Sequence, residues 1–181
     1  TSLSILKGWP NIHVVDKQQL ITYKDSKMLI CPWGAKGEDL QKADIIFGHF
    51  EISSFKMNHF KTCTTGIRAD DLLKHAPLVI TGHFHHREHR TYKSGDVVYL
   101  GNPFEMDFGD INSTKGYYIL DIPTSQLKFT QNLISPNHVK IKLSELAEEK
   151  NITSRYKNKI KGNIVRMNID LHIMPNDAEL V

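Results

Sequence analysis

Residues 78–86 read LVITGHFHH, and residues 45–49 read IIFGH. Each is a short, unbroken apolar run that ends in Gly-His. Apolar runs without alternation are the signature of strands buried on both faces, as in a parallel sheet. Between them, residues 68–75 (RADDLLKH) fit a helix that stops at Ala76-Pro77. Strand, helix and strand make a βαβ unit, and the expected fold class is α/β. In such sheets ligands bind beyond the carboxyl ends of the strands, where both His49 and His83 fall.

Outward from this unit the pattern is mostly β. Residues 12–16 and 19–23 are expected to form a hairpin about a Lys-Gln turn. Residues 27–31 form another apolar run, closed by Pro32-Trp33-Gly34. Residues 38–43 could form a short helix with acids in its first turn, as the helix dipole favours. Downstream, residues 97–100, 116–122 and 126–134 read as strands of a meander, with turns at Ser94-Gly95-Asp96 and Pro123-Thr124-Ser125. Ser135-Pro136-Asn137 is the expected boundary, which divides the chain into residues 1–135 and 136–181. The second part reads as a strand (139–143), a helix capped by Ser144, a basic loop and a strand (163–171).

Composition sets the outer limits. The chain has 181 residues, 40% of them apolar, which suits one soluble domain with a small appendage. No apolar run approaches the ~18 residues of a membrane span. Cys31 and Cys63 are too few for a disulfide framework and form no CxxC, so a reducing cytoplasm is expected. The net charge of +3 is uneven: residues 138–166 hold eight basic and three acidic side chains, whereas residues 1–137 are nearly neutral. Ten histidines are many, and seven of them lie between positions 49 and 89. Imidazole is the commonest transition-metal ligand, so such clustering points toward a site.

The sharpest local signal is Gly82-His83-Phe84-His85. Gly permits close approach of the backbone, and two His at i and i+2 on an extended segment face one side. A surface cluster, or core His satisfied by hydrogen bonds, would give the same residues. The Gly, the strand-end position and the matching Gly48-His49 favour a metal site over that reading. Three imidazoles do not complete a two-metal centre, which also needs carboxylates. Glu51 lies near in sequence, while Asp70 and Asp71 read as solvated helix charges.

Taken together, IIFGHFE and LVITGHFHHR resemble the last two metal-binding motifs of calcineurin-like metallophosphoesterases. The downstream VVYLGNPFEMDFGDINSTKGYYILDI resembles the double-strand-break repair nucleases within that group, and ILKGWPNIHVVD near the start is similar to their tailed-phage members. The resemblance implies the C-terminal part of a four-layer αββα metallophosphoesterase sandwich (residues 1–135), followed by the start of a small α+β DNA-capping domain (136–181). It implies a hydrolase, a DNA exo- and endonuclease working in recombination, repair and replication with two Mn²⁺ ions. His49 and His83 would bind one ion, and His85 would complete the shell of the other. The implied partners are DNA ends and single strands, an SMC-like ATPase and a second copy of the nuclease; the host cytoplasm is implied for a phage-encoded protein. Ahead of the two Gly-His motifs, the family's Asp-x-His, Gly-Asp-x-x-Asp and Gly-Asn-His-Asp/Glu motifs do not occur in this sequence. The bridging Asp, the Asn ligand and the general-acid His are therefore expected upstream of Thr1, with no catalytic acid in this stretch, which alone should be inactive.

Further candidates are less specific. Asn102, in Gly101-Asn102-Pro103, could line the site rim or simply form a turn. Arg87 and Arg90 form a basic rim beside His85 suited to phosphate contact, or an ordinary solvated edge. Residues 56–66, with His59, Lys56 and Lys61, read as a loop over the site that could touch DNA, or as an inert surface loop. Arg155, Lys157, Lys159 and Lys161 could follow a DNA backbone, or be only a solvated face. Two other functions fit the sequence: a phosphatase or cyclic-nucleotide phosphodiesterase of the same superfamily, and a non-catalytic metal- or DNA-binding module.

Overall fold

The computed structural model describes residues 2–147 and 152–169. A six-stranded mixed sheet is its centre, in the order β1-β2-β3-β4-β6-β5. Its strands are β1 (Gln19–Tyr23), β2 (Ser26–Ile30), β3 (Ile45–Gly48), β4 (Leu78–Thr81), β5 (Glu88–Tyr92) and β6 (Gly95–Tyr99). The four inner strands are parallel, and β1 and β5 close the two edges antiparallel. Helix α1 (Ala69–Leu73) links β3 to β4, completing the βαβ unit.

Strand alternation sends side chains to both faces, and both faces are covered. Leu29, Ile46, Val79 and Val97 point to the side that holds Leu72, Leu73 and Ala76 of the α1 region. Ile45, Leu78, Ile80 and Val98 point to the other side, against Tyr118, Leu120 and Leu127. Those residues come from a separate antiparallel hairpin, β7 (Gly116–Asp121) and β8 (Gln126–Gln131). Each fully buried aliphatic side chain contributes about 2 kcal/mol, so this two-sided sheet dominates the fold's stability. A third, parallel pair joins β9 (His138–Lys142) to β10 (Ile164–Asn168), with α2 (Leu143–Ala147) and α3 (Ile152–Ile160) between them.

Four expectations are corrected. Residues 19–23 pair with Ser26–Ile30 and not with residues 12–16, because Lys24 and Asp25 both take positive φ (45° and 66°). That is the two-residue turn whose twist matches a hairpin. Residues 38–43 form no α-helix beyond a 3₁₀ turn at Gly37–Asp39: Ala43 donates to the His75 carbonyl and Asp44 to the Lys27 carbonyl, which draws the chain out toward β3. The expected meander is divided, since β6 belongs to the central sheet and only β7 and β8 form their own pair. Finally, the basic stretch is the helix α3 rather than a loop. Buried Tyr156 anchors it, and Gly162, at φ 77°, ends it.

Tyr99, at the end of β6, is fully buried. Its hydroxyl donates to the Phe50 carbonyl (2.8 Å) and accepts from the Ile52 amide (2.9 Å). Its ring stacks on Phe84, with centroids 4.7 Å apart. Tyr99→Phe keeps the ring and deletes only the hydroxyl. It is expected to lower unfolding free energy by about 1–3 kcal/mol in chemical denaturation, because a buried amide and carbonyl lose their partner; unchanged stability would refute that role.

Candidate metal centre at the strand ends

Three neighbouring parallel strands end side by side. Beyond β2 comes Trp33, beyond β3 His49, and beyond β4 Gly82 and His83. The ladder continues one step past the strands, with the Gly82 amide donating to the Gly48 carbonyl at 3.1 Å. Thr81 ties the two loops together, since its hydroxyl oxygen accepts the Phe50 amide (2.9 Å) and donates to the Gly82 carbonyl (3.0 Å). These bonds bring the His49 and His83 rings to 5.3 Å between centroids, at 69°. Trp33 packs against both, 5.4 Å from His49 and 4.6 Å from His83.

Two backbone features permit this approach. A Cβ at position 82 would lie 3.0 Å from His49 Nδ1, so Gly82 keeps space for that ring. His83 itself takes φ 92°, a region that L-residues rarely occupy and that concentrates at functional sites. Burial, reinforced by the neighbouring His83, lowers the His49 pKa. A lowered pKa keeps the imidazole neutral, the form that coordinates a cation.

The separation of the two rings can be compared with that of two imidazoles on one ion. A ring centroid lies roughly 3.2 Å from an ion at the ~2.1 Å metal–nitrogen distance, so two imidazoles sharing one ion at about 90–110° have centroids roughly 4.5–5.2 Å apart. The observed 5.3 Å lies close to the upper end of that range. A third donor is not gathered with them: among the described residues no group of three or more His, Cys, Asp or Glu side chains converges. The His85 side chain is exposed, while its carbonyl accepts from Lys115 Nζ (2.9 Å) and the Asn102 amide (3.4 Å). The Glu51 carboxylate is held by Thr65 (2.5 Å) and Cys63 (3.4 Å), and these bonds lower its pKa. Asp71 pairs with Lys74 (2.7 Å) and Asp70 with Arg68 (3.6 Å) on the helix surface, as solvated charges do. Cys31 is buried, which raises its pKa to about 11 and makes it a poor thiolate.

The remaining candidates divide. Arg87 donates to the Tyr118 hydroxyl (3.1 Å) and lies 4.2 Å from the Phe129 ring centroid. Arg90 pairs with Glu88 (2.6 Å), donates to the Ser54 carbonyl and covers Phe55. Asn102 donates to Asp110 (3.3 Å). All three thus have partners inside the fold. Lys157 and Lys159 lie on α3 and are exposed, Lys161 lies just beyond its end, and the Arg155 side chain is outside the described residues. Lys159 joins Lys140, Phe60 and Phe108 around an open cleft of about 520 Å³. His59 lies beside the His-rich turn, its ring 5.3 Å from His86 and its Nε2 2.7 Å from the Ser113 hydroxyl.

The sequence motifs assign no role to Trp33, nor to Tyr99 and Lys115, although the last two lie within the stretch that resembles the repair nucleases. The strand-end rule applied to residues 27–31 would point to Trp33. Nothing in the sequence marks Tyr99 or Lys115 as reaching back to the histidine loops.

Comparison with known proteins finds relatives among nucleases and phosphoesterases. Over 139 residues the chain is 27% identical to exonuclease subunit 1 of enterobacteria phage T4, covering 72% of this chain and 39% of that protein. It is 25% identical to a subunit of the nuclease SbcCD of Staphylococcus epidermidis, covering 61% of this chain and 30% of that protein. It is 24% identical to putative phosphoesterase 078R of invertebrate iridescent virus 3, covering 59% and 32%. The chain thus spans less than two-fifths of the length of each relative. No protein-family profile matches it. At these identities the chain is similar to two nuclease subunits and a putative phosphoesterase, in line with the resemblance that its Gly-His motifs carry.

The left-handed backbone at His83 gives a direct test. His83→Gly is expected to be about 1 kcal/mol more stable than His83→Ala, since glycine takes positive φ without a Cβ penalty. Equal unfolding midpoints for the two variants would overturn the strained geometry.

Proposed function

We propose that the chain supplies the histidine half of a two-metal DNA nuclease centre, with His49 and His83 on one divalent ion and His85 serving a second. The observation that carries this reading is the pair of imidazoles brought together by two Gly-His strand ends. The names of the phage T4 and staphylococcal relatives support nuclease activity. On this reading the central sheet and the β7–β8 hairpin belong to the C-terminal half of an αββα sandwich, and residues 136–181 begin a capping domain. The remaining ligands and the general acid lie elsewhere in the whole protein.

When bound, the two ions would polarise the phosphodiester and lower the pKa of a bound water. Mn²⁺ is the proposed metal. The residues of this chain hold the ligand rings at fixed separation through Thr81, Gly82 and Tyr99, and keep His49 neutral. Lys140, Lys157, Lys159 and Lys161 offer cations to phosphates near the cleft, a contribution that weakens as salt rises. Trp33 presents an exposed indole at the rim. Double-strand ends and single strands are the proposed substrates, handled by a dimer of the nuclease with an SMC-like ATPase; that the two nuclease relatives are named as subunits supports a multi-subunit assembly. No helix among the described residues is long and apolar enough to cross a membrane.

A second reading has one observation in its favour. The iridescent-virus relative is named a putative phosphoesterase, which also fits a phosphatase or a diesterase for small substrates. Cleavage of linear DNA by the full-length gene product, compared with hydrolysis of p-nitrophenyl phosphate, separates the two. Mn²⁺-dependent DNA cleavage is expected, and His83→Ala should lower it by more than the ~100-fold that loss of an outer-shell partner costs. Undiminished cleavage by that variant would overturn the ligand assignment; activity on the monoester alone would favour the phosphatase.

A further inference from the structure

Lys115 is only 5% exposed, and an ammonium at that depth carries a desolvation cost of several kcal/mol unless it is paired and hydrogen-bonded. Its Nζ donates to Asp110 Oδ1 (2.6 Å) and to the main-chain carbonyl of His85 (2.9 Å). Asp110 is itself fixed: its other oxygen accepts from the Met106 amide (3.0 Å) and the Asn102 side chain (3.3 Å). Although burial opposes it, the bonds from Lys115 and Met106 hold the Asp110 carboxyl below the usual carboxylate range. The loop that starts at Gly101 is pressed against the same carbonyl. Gly101 takes φ 69°, and a Cβ there would meet the Arg87 amide nitrogen at 2.9 Å and the His85 oxygen at 3.0 Å.

The buried pair is thus directed at one atom of the His-rich turn. A pair that served only to close the loop at residues 101–115 would have no need to reach that carbonyl. We infer that Lys115, clamped by Asp110, is a positioning residue that fixes the turn presenting His83 and His85 to a divalent cation. The inference rests on the reading of the strand ends as a metal centre. Lys115 touches neither metal nor substrate; it acts through the backbone of His85.

The test is a cobalt(II) titration followed by visible absorbance on the full-length protein, with thermal unfolding of every variant. His83→Ala should lose the cobalt band. Lys115→Met alone leaves Asp110 buried without its partner, so the decisive variant is Lys115→Met/Asp110→Leu, because replacing both members of a buried pair by apolar residues is often neutral in stability. It is expected to melt near the wild type yet bind cobalt about 10–100-fold more weakly, as loss of an outer-shell partner does. Asp110→Asn keeps the packing and slackens the clamp, and should weaken cobalt by a smaller factor. Wild-type cobalt affinity in either folded Asp110 variant overturns the inference and leaves the metal centre standing. An unchanged cobalt band in His83→Ala overturns the metal centre itself.

Discussion

A single buried phenol holds the two histidine loops in place. The Tyr99 hydroxyl meets the backbone on both sides of Glu51, at the Phe50 carbonyl and the Ile52 amide, and so fixes the path of the chain after His49. The ring stacks on Phe84, which lies between His83 and His85 and is itself buried. Phe55 packs on the same ring, 5.0 Å away. Interior side chains are close-packed and tolerate little displacement, so the separation of the imidazoles follows from this ring's position. Burial raises the Tyr99 pKa, keeping the hydroxyl protonated so that it can both donate and accept.

What is readable in the sequence is what depends on local apolar pattern. The β3, α1 and β4 elements are readable because unbroken apolar runs and a Pro stop need no knowledge of partners. The Gly-His strand ends follow from them. The β1–β2 hairpin escapes such a reading because Lys24-Asp25 is not an obvious pair of left-handed residues, and residues 12–16 are as β-branched as a true strand. Strand β5 escapes it for another reason. Its sequence, EHRTY, is polar, and it is a strand because it pairs as an edge with β6. In α3 the basic residues conceal a helix that Tyr156 anchors from one side. The candidate site is half readable: the local motifs supply the candidate ligands, but not the groups that position them, since those act over separations of 30 to 50 residues.

The polar interior of the loop at residues 101–115 reaches two ways. Lys115 and Asp110 face the His-rich turn, whereas buried Glu105 accepts the His138 amide at 2.5 Å. Phe108 packs edge-on to His138 and under the Arg166 guanidinium, whose carbon lies 4.0 Å from the ring centroid. The β9–β10 pair is therefore fastened to the same loop that steadies the histidines. Coupling carried by buried pairs of this kind depends on each member keeping its partner, because an unpartnered buried charge is costly.

The ring-on-ring contact of Phe84 with Tyr99 ties together two positions fifteen residues apart. Neither can change size alone without opening a void beneath the histidine turn or crowding it. Among diverging sequences built on this scaffold, positions 84 and 99 should therefore drift as a unit, a bulkier ring at one matched by a slighter one at the other, while the histidines above them stay fixed.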